Sequence, residues 1–186
     1  MLTIDINPVL VHIGPFALSW YGLILAGAIA VGVRVVFAEA RRRALQMELL
    51  GDIVTWALVG GLIGARLLHV IDRWDMYAAT PMQIPMLQNG GLAIEGAILG
   101  GALAGVIGAR RHGLPVHRLS DVVAPGLALG QAIGRVGCLV TGDALGPQTD
   151  GLWGIRYLNP GAMAPQLGVT YQPTFAYEAA WDLVVF

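Results

Sequence analysis

The pattern of apolar and polar residues divides the chain into four long apolar blocks joined by polar connections. Each block has about 18 to 20 residues, which is roughly the length that a helix needs to cross the hydrocarbon core of a bilayer. The blocks cover residues 18–37, 53–70, 92–109 and 122–140, and a shorter fifth block opens at 174 and runs to 186. This pattern predicts an all-α integral membrane protein: one membrane domain over residues 1–186, built as a multi-helix transmembrane bundle.

Composition agrees with a membrane protein. Of the 186 residues, 56% are hydrophobic and 12% are charged, and the charged share is about half of that in a soluble domain. The formal net charge of −1 does not point to any class of partner, and the partners that we expect are membrane lipids rather than nucleic acid. The one cysteine, Cys138, excludes an internal disulfide and a metal site with several cysteines.

The connections between the blocks differ in charge and predict the orientation. Six arginines lie on one side of the predicted membrane (41–43, 110, 111 and 118), and two lie on the other (73 and 156). By the positive-inside rule the first group faces the cytoplasm, so the N-terminus is outside. The polar segment 142–171 is then also outside, where it forms a small external cap.

With this orientation, several ionisable residues of separate helices fall at the level of the outer leaflet. They are Tyr21, Arg66, His69, Glu95, Arg135 and Glu178. Charges at membrane depth usually face a bundle interior or a wet cavity and mark function. The alternative is that Arg66 with Glu95, and Arg135 with Glu178, are buried ion pairs that hold the helices together.

Arg135 is the most informative of these residues. A guanidinium at bilayer depth costs about 2.5 to 3.5 kcal/mol on insertion scales, and it does not lose its proton. It therefore needs an anionic partner, either a carboxylate of this chain or a phosphate. A cavity with arginines and carboxylates suits a phospholipid whose phosphate binds Arg135 or Arg66. Gly134 and Gly137 either serve helix packing or open the backbone beside Arg135 to a ligand. The sequence has no metal-ligand cluster and no nucleotide-binding loop, so we expect no metal and no cofactor.

Five motifs resemble those of the bacterial prolipoprotein diacylglyceryl transferase family. They occur in the family's order and extend over nearly the whole chain: Ser19-Trp-Tyr-Gly22, Gly64-Ala-Arg-Leu67, Gly90-Gly-Leu-Ala-Ile-Glu-Gly96, Gly134-Arg-Val-Gly-Cys-Leu-Val-Thr-Gly-Asp143 and Gln172-Pro-Thr-Phe-Ala-Tyr-Glu178. Each motif alone is weak, but the five in this order are specific.

The resemblance implies an enzyme of the bacterial cytoplasmic (inner) membrane, with several membrane passes. Its substrates would be phosphatidylglycerol and the lipobox cysteine of a preprolipoprotein. Arg135 then falls on the family's essential arginine, Tyr21 on a tyrosine that matters for activity, and Gly146 on a residue that shapes the cap. Glu95, Arg135 and Tyr21 are the expected catalytic residues. The substrate-binding residues expected are Arg135, Arg66, Gly134, Gly137, Gly146 and Glu178.

The chain departs from the family pattern at several positions. Glu95 stands where the family has the histidine favoured as general base, and a carboxylate serves there only if its pKa is raised towards the working pH. Cys138 and Thr141 replace asparagines, and Gln172 replaces a histidine. These changes favour one alternative, a non-catalytic relative that binds phospholipid or lipoprotein. A transporter or channel is a further alternative. It predicts broken helices at the midplane and an opening to both sides, whereas the ionisable residues here cluster at the level of one leaflet.

The fifth apolar block leads to an expectation about activity. Its roughly 13 residues are fewer than the roughly 20 that cross the hydrocarbon core, and the family has further helices with another essential arginine. We therefore expect residues 1–186 alone to catalyse poorly. Turnover comparable to that of a full-length relative would contradict this expectation.

The predicted orientation can be tested with single cysteines. In a Cys138→Ser background, cysteines replacing Arg42 and Asp150 should react differently with a membrane-impermeant reagent added to intact cells. Position 150 should be labelled and position 42 protected, because the arginine-rich connections are cytoplasmic. Labelling of position 42 from outside would contradict the orientation.

Overall fold

The computed structural model describes residues 1–14, 16–86 and 90–186, and most of these residues are helical. The α-helices over this part of the chain are α1 (Trp20–Arg42), α2 (Met47–Asp72), α3 (Trp74–Ala79), α4 (Ile94–Arg111), α5 (Val116–Thr141) and α6 (Thr174–Val185). A short 3-10 helix covers Pro81–Gln83.

Three helices of the described chain, α1, α2 and α5, are long and apolar enough to cross a membrane. The predicted fold class is confirmed on this basis. The predicted block 92–109 forms α4, which is not among these three. The reason is its charge, since the 18 residues of α4 include Glu95, Arg110 and Arg111.

Five short strands accompany the helices in the described residues: β1 (Leu2–Ile4), β2 (Val9–Ile13), β3 (Phe16–Ser19), β4 (Ile155–Tyr157) and β5 (Thr170–Tyr171). Strands β1, β4 and β5 form one sheet in the order β1-β4-β5, with β1 parallel and β5 antiparallel to β4. Strands β2 and β3 form an antiparallel pair. The sequence pattern did not predict these strands, because most are shorter than the 4 to 8 alternating residues that identify a strand.

The chain divides into two compact units. Unit 1 consists of Met1–Val36 with Val123–Phe186, and unit 2 is Phe37–Val122. The core of unit 1 joins the sheet to the ends of α5 and α6, and its buried members are Ile4, Cys138, Ile155, Tyr157 and Phe175. The prediction of one membrane domain over residues 1–186 stays a prediction.

Glycines let α2 and α4 pack closely in unit 2. A Cβ at Gly64 would overlap the carbonyl oxygen of Gly96, and one at Gly60 would lie 2.8 Å from the carbonyl oxygen of Gly100. The repeated spacing of four residues places these glycines on one face of each helix, where the two backbones meet. This packing fixes where the start of α4, with Glu95, lies against α2.

Candidate functional site

Arg135 and Glu178 form an ion pair in unit 1. Arg135 lies in the second half of α5 and Glu178 in the second turn of α6, and Nη2 of the arginine contacts Oε2 of the glutamate. Their side chains are 26% and 46% exposed, so the pair is open on one side. Glu178 supplies one of the two kinds of partner that Arg135 was predicted to need.

The guanidinium of Arg135 keeps unused donor capacity. An arginine carries five N–H donors in a planar fork. In the described part of the chain, Glu178 is the acidic partner of Arg135, through Nη2. Beside Arg135, a Cβ at Gly134 would meet nothing within 4 Å, so the space there is open. An anion can therefore accept hydrogen bonds from the remaining donors of Arg135 while Glu178 stays bound.

Tyr21 lies against the same stretch of α5. Ser19 caps α1, because its Oγ accepts a hydrogen bond from the Gly22 N–H at 3.0 Å. This places Tyr21 in the first turn, where a Cβ at Gly137 would come 2.8 Å from the Cδ2 atom of the tyrosine ring. Gly137 therefore permits the close approach of Tyr21, and Arg135 lies within electrostatic range of its hydroxyl.

Tyr157 of β4 holds the end of α5. No sequence pattern pointed to this residue. The Tyr157 hydroxyl donates to the carbonyl oxygen of Leu139 at 2.7 Å, and its ring packs on Gly142. Gly142 has φ of +76°, the left-handed conformation that ends a helix. Burial raises the pKa of Tyr157 to about 12, so its hydroxyl keeps its proton and remains a donor at neutral pH.

The start of α6 is tied to the segment that follows α5. Gly146 N–H donates to the Gln172 carbonyl oxygen at 2.9 Å, and the Thr174 hydroxyl donates to the Ala144 carbonyl oxygen at 2.5 Å. A Cβ at Gly146 would come 2.6 Å from Cγ2 of Thr174. Gly146 therefore allows the contact that orients α6, the helix that carries Glu178.

Arg66 is in unit 2 and has a different environment. It is buried, with 6% exposure, and all five of its N–H donors point at backbone carbonyl oxygens. Nε donates to Ile84 at 2.7 Å. Nη1 donates to Gly90 at 2.7 Å and Gly91 at 2.9 Å, and Nη2 to Gln83 at 2.5 Å and Met86 at 3.2 Å. This geometry favours a structural role over the predicted contact with a lipid phosphate.

Two aromatic rings complete the surroundings of Arg66. Its guanidinium carbon lies 5.1 Å from the centroid of the Tyr77 ring, and His69 packs edge-on to Tyr77 at 5.9 Å. A Cβ at Gly91 would lie 2.6 Å from His69 Nε2 and 2.8 Å from Arg66 Nη1. His69 and Arg66 thus both pack closely against Gly91, three residues before α4 begins.

Glu95 lies in the first turn of α4, where a negative charge is favourable at a helix N-terminus. It is exposed, and within the described residues it forms no ion pair with Arg66. The Ala93 N–H donates to the Ala65 carbonyl oxygen at 3.0 Å, which anchors the start of α4 to α2. Glu95 belongs to unit 2 and Arg135 to unit 1, and a shared cavity stays a prediction.

The chemistry available around Arg135 is that of anion binding. The described residues contain no group of three or more His, Cys, Asp or Glu side chains that could hold a metal ion. Unit 1 brings together four predicted site residues, Tyr21, Arg135, Gly137 and Glu178, while Gly146 supports α6 and Gly134 borders open space. Arg66 and Glu95 lie in unit 2.

The comparisons with known proteins agree with the motifs. The family model for prolipoprotein diacylglyceryl transferase matches residues 8–186. A phosphatidylglycerol–prolipoprotein diacylglyceryl transferase of Synechococcus elongatus is 40% identical over 180 residues, which is 96% of this chain and 62% of the relative. The enzyme of the same name in Trichormus variabilis is 42% identical, over 97% of this chain and 64% of its own length.

A third relative of that name, from Staphylococcus carnosus, is 37% identical over 97% of this chain and 67% of the relative. The chain thus spans a little under two thirds of the length of the first two relatives. The family predicted from the sequence motifs is confirmed.

Replacing Arg66 should destabilise the protein strongly. Arg66→Ala removes five hydrogen bonds from a buried charged group. Hydrogen bonds to charged groups are worth about 1.5 to 3 kcal/mol each, so we expect a loss of at least about 3 kcal/mol. The matched control is Arg73→Ala, which removes an exposed pair with Asp72 and should cost less than about 1 kcal/mol. Thermal unfolding in detergent measures both. Equal effects of the two variants would contradict the structural role of Arg66.

Tyr157→Phe should lower the free energy of unfolding by about 1 kcal/mol, the usual worth of one hydrogen bond. The pH dependence has a definite sign. The pKa of Tyr157 is about 12 in the folded protein and near 10 when unfolded, so the unfolded chain loses this proton first. The stability difference between wild type and Tyr157→Phe should therefore be constant below pH 10 and shrink as the pH rises towards 12. A difference that grows with pH would contradict this assignment.

Proposed function

The chain belongs to the prolipoprotein diacylglyceryl transferase family, and we propose on this basis that it transfers a diacylglyceryl group from phosphatidylglycerol to the lipobox cysteine thiol of preprolipoproteins. Phosphatidylglycerol and prolipoprotein are the substrates that the names of its relatives state. The proposed location is the bacterial inner membrane, with the N-terminus and the segment 142–171 outside.

The reaction replaces a carbon–oxygen bond by a carbon–sulfur bond. The cysteine sulfur attacks the glycerol carbon that bears the phosphodiester, the bond from this carbon to the phosphate oxygen breaks, and glycerol phosphate leaves. The thiol gives up its proton to a base, and negative charge builds on the departing phosphate. The reaction therefore needs a cation at the phosphate and a proton acceptor at the sulfur.

The observation that carries the proposal is the partly satisfied guanidinium of Arg135. Its planar fork suits two phosphate oxygens at once, and donors aimed at developing charge stabilise a transition state. In this proposal Glu178 holds the fork in place before the lipid arrives, and the phosphate takes the donors that Glu178 leaves free. The ring of Tyr21 packs against Gly137, and in this proposal its hydroxyl supplies a further donor for the phosphate.

The proton acceptor proposed is Glu95. Glu95 lies in the first turn of α4, and its carboxylate oxygens can accept a proton from the thiol. Contacts of Arg66, His69 and Ala93 fix the backbone just before Glu95.

A second candidate function is phospholipid or lipoprotein binding without transfer. It is favoured by Glu95, which stands where the family has histidine, and by Cys138 in place of asparagine. In this second function Arg135 still binds the lipid phosphate, but the lipid is not transferred to a thiol. The two functions therefore make the same prediction for Arg135 and different ones for Glu95.

Variants of Arg135 test lipid binding and transfer together. Arg135→Ala should abolish detectable binding of phosphatidylglycerol and reduce any transfer to a lipobox peptide by about a hundred- to a thousandfold, the effect of removing one charge-stabilising donor. Arg135→Lys keeps the charge but loses the fork, so its defect should be smaller. Arg34→Ala is the matched control, because Arg34 is an exposed arginine of the apolar helix α1. Unchanged lipid binding in Arg135→Ala would overturn the proposed phosphate site.

Glu95→Gln separates the two candidate functions, since it keeps the shape of the side chain and removes its charge. If Glu95 accepts the thiol proton, transfer to the peptide falls while phosphatidylglycerol binding and folding stay unchanged. Glu48→Gln, at the equivalent position in the first turn of α2, should change none of the three measurements. Wild-type transfer in Glu95→Gln would remove Glu95 from the proposed mechanism. Lipid binding by the wild type with no detectable transfer, below even the slow turnover expected of residues 1–186, would favour the second candidate.

A further inference from the structure

The segment between α5 and α6 contains a tight turn with an unusual composition. Gly154 N–H donates to the Gly151 carbonyl oxygen at 3.1 Å, which closes a β-turn whose two central residues are Leu152 and Trp153. Central turn positions normally carry glycine, proline, asparagine, aspartate or serine. Here they carry two large apolar side chains, which are 86% and 85% exposed.

The base of this turn is firmly held. Gly151 N–H donates to the Thr149 hydroxyl at 3.1 Å, and Thr149 N–H donates to the Thr170 carbonyl oxygen at 3.0 Å. On the other side, Leu2 N–H donates to the Gly154 carbonyl oxygen at 3.0 Å, which joins the turn to β1. A Cβ at Gly154 would overlap the Thr170 side chain. The two apolar side chains are therefore presented by a braced backbone.

Exposed apolar residues on the three long apolar helices have a simple explanation that does not cover these two. On α1, α2 and α5, apolar side chains face outward because the helices are suited to a membrane. Leu152 and Trp153 lie outside these helices, in a segment that starts directly after Thr141, the last residue of α5. Tyr157, which follows the turn, donates a hydrogen bond to the Leu139 carbonyl oxygen in the last turn of α5, and this bond keeps the base of the turn near the end of that helix.

We infer that the Leu152–Trp153 turn inserts into the interfacial layer of the bilayer and anchors the segment between α5 and α6 to the lipid surface. Tryptophan is enriched at this layer because its ring is apolar with one polar N–H. Asp150 is exposed next to the turn and limits the insertion to a shallow depth, with its carboxylate among the headgroups.

The shape of the turn favours lipid over a peptide or protein partner. Peptides and small molecules bind in concave sites or along sheet edges, where walls surround their side chains. Side chains with more than four fifths of their surface exposed project outward and have no such walls. A fluid interface adapts to a projecting side chain, whereas a preformed groove does not. The inference does not depend on the proposed transferase activity.

Fluorescence quenching in bilayers tests this inference. A Cys138→Ser protein with Trp153→Cys carries an environment-sensitive fluorophore and is placed in nanodiscs of phosphatidylcholine with phosphatidylglycerol. The matched control carries the same probe at Gln166, an exposed polar residue of the same segment. The probe at 153 should be quenched several-fold more strongly than the control by lipids with a nitroxide near the headgroup. It should also be less accessible to aqueous iodide.

A second measurement avoids the cysteine variants. The fluorescence difference between the wild type and Trp153→Phe reports Trp153 alone, and brominated lipids should quench it. Equal iodide access at 153 and 166 without lipid quenching would overturn the inference. Protection of position 153 without lipid quenching would assign the turn to a protein contact, and protection that appears only with a lipobox peptide would assign it to the peptide.

Discussion

A guanidinium in an apolar helix must find acceptors, because it keeps its proton at every pH that a protein meets. Arg66 and Arg135 meet this need in two different ways. Arg66 gives all five donors to carbonyl oxygens of residues 83–91, and its ring neighbour Tyr77 covers one face. Arg135 pairs with Glu178 and keeps donors free on a side that solvent reaches. The first arrangement is a structural support, and the second leaves capacity for a ligand.

The surroundings of Arg135 depend on contacts that are distant in sequence. Tyr157 holds the last turn of α5 through the Leu139 carbonyl oxygen, and Thr174 holds the start of α6 through Ala144. These two bonds fix the helices that carry the two partners of the ion pair. A change in either bond would move Arg135 or Glu178 without altering either residue, and a misplacement of about 1 Å is enough to weaken the proposed site severely.

Much of this arrangement was predictable from the sequence, for reasons that can be named. The apolar blocks identified α1, α2 and α5 because length and composition alone decide whether a helix suits a membrane. The pair of Arg135 and Glu178 was one of the alternatives that the sequence left open, because a charge at membrane depth needs an anionic partner, either a carboxylate or a phosphate. The family followed from five motifs in order. The packing of α2 on α4 agrees with the glycine spacing, since only a bare helix face allows such close backbones.

Other features could not be predicted, because they depend on geometry that sequence spacing does not encode. The Arg66 network uses carbonyl oxygens, which every residue possesses, so no side-chain pattern reveals it. Tyr157 lies 18 residues from the carbonyl oxygen to which it donates. Its strand, β4, is too short to show an alternating pattern. The predicted block 92–109 contains one charged residue, Glu95, and resembles the other apolar blocks. The helix that forms extends to Arg111 and so also includes Arg110 and Arg111.

The most direct test of the contrast between the two arginines is nitrogen-15 NMR of their side chains. The chain, labelled at arginine, is placed in phosphatidylcholine nanodiscs, and its guanidinium signals are assigned with Arg66→Lys and Arg135→Lys. On addition of phosphatidylglycerol, the Arg135 signals should shift in a saturable way while the Arg66 signals stay unchanged, because only Arg135 has donors to offer. Arg135 signals that do not shift when the lipid is added, or Arg66 signals that do shift, would contradict the account.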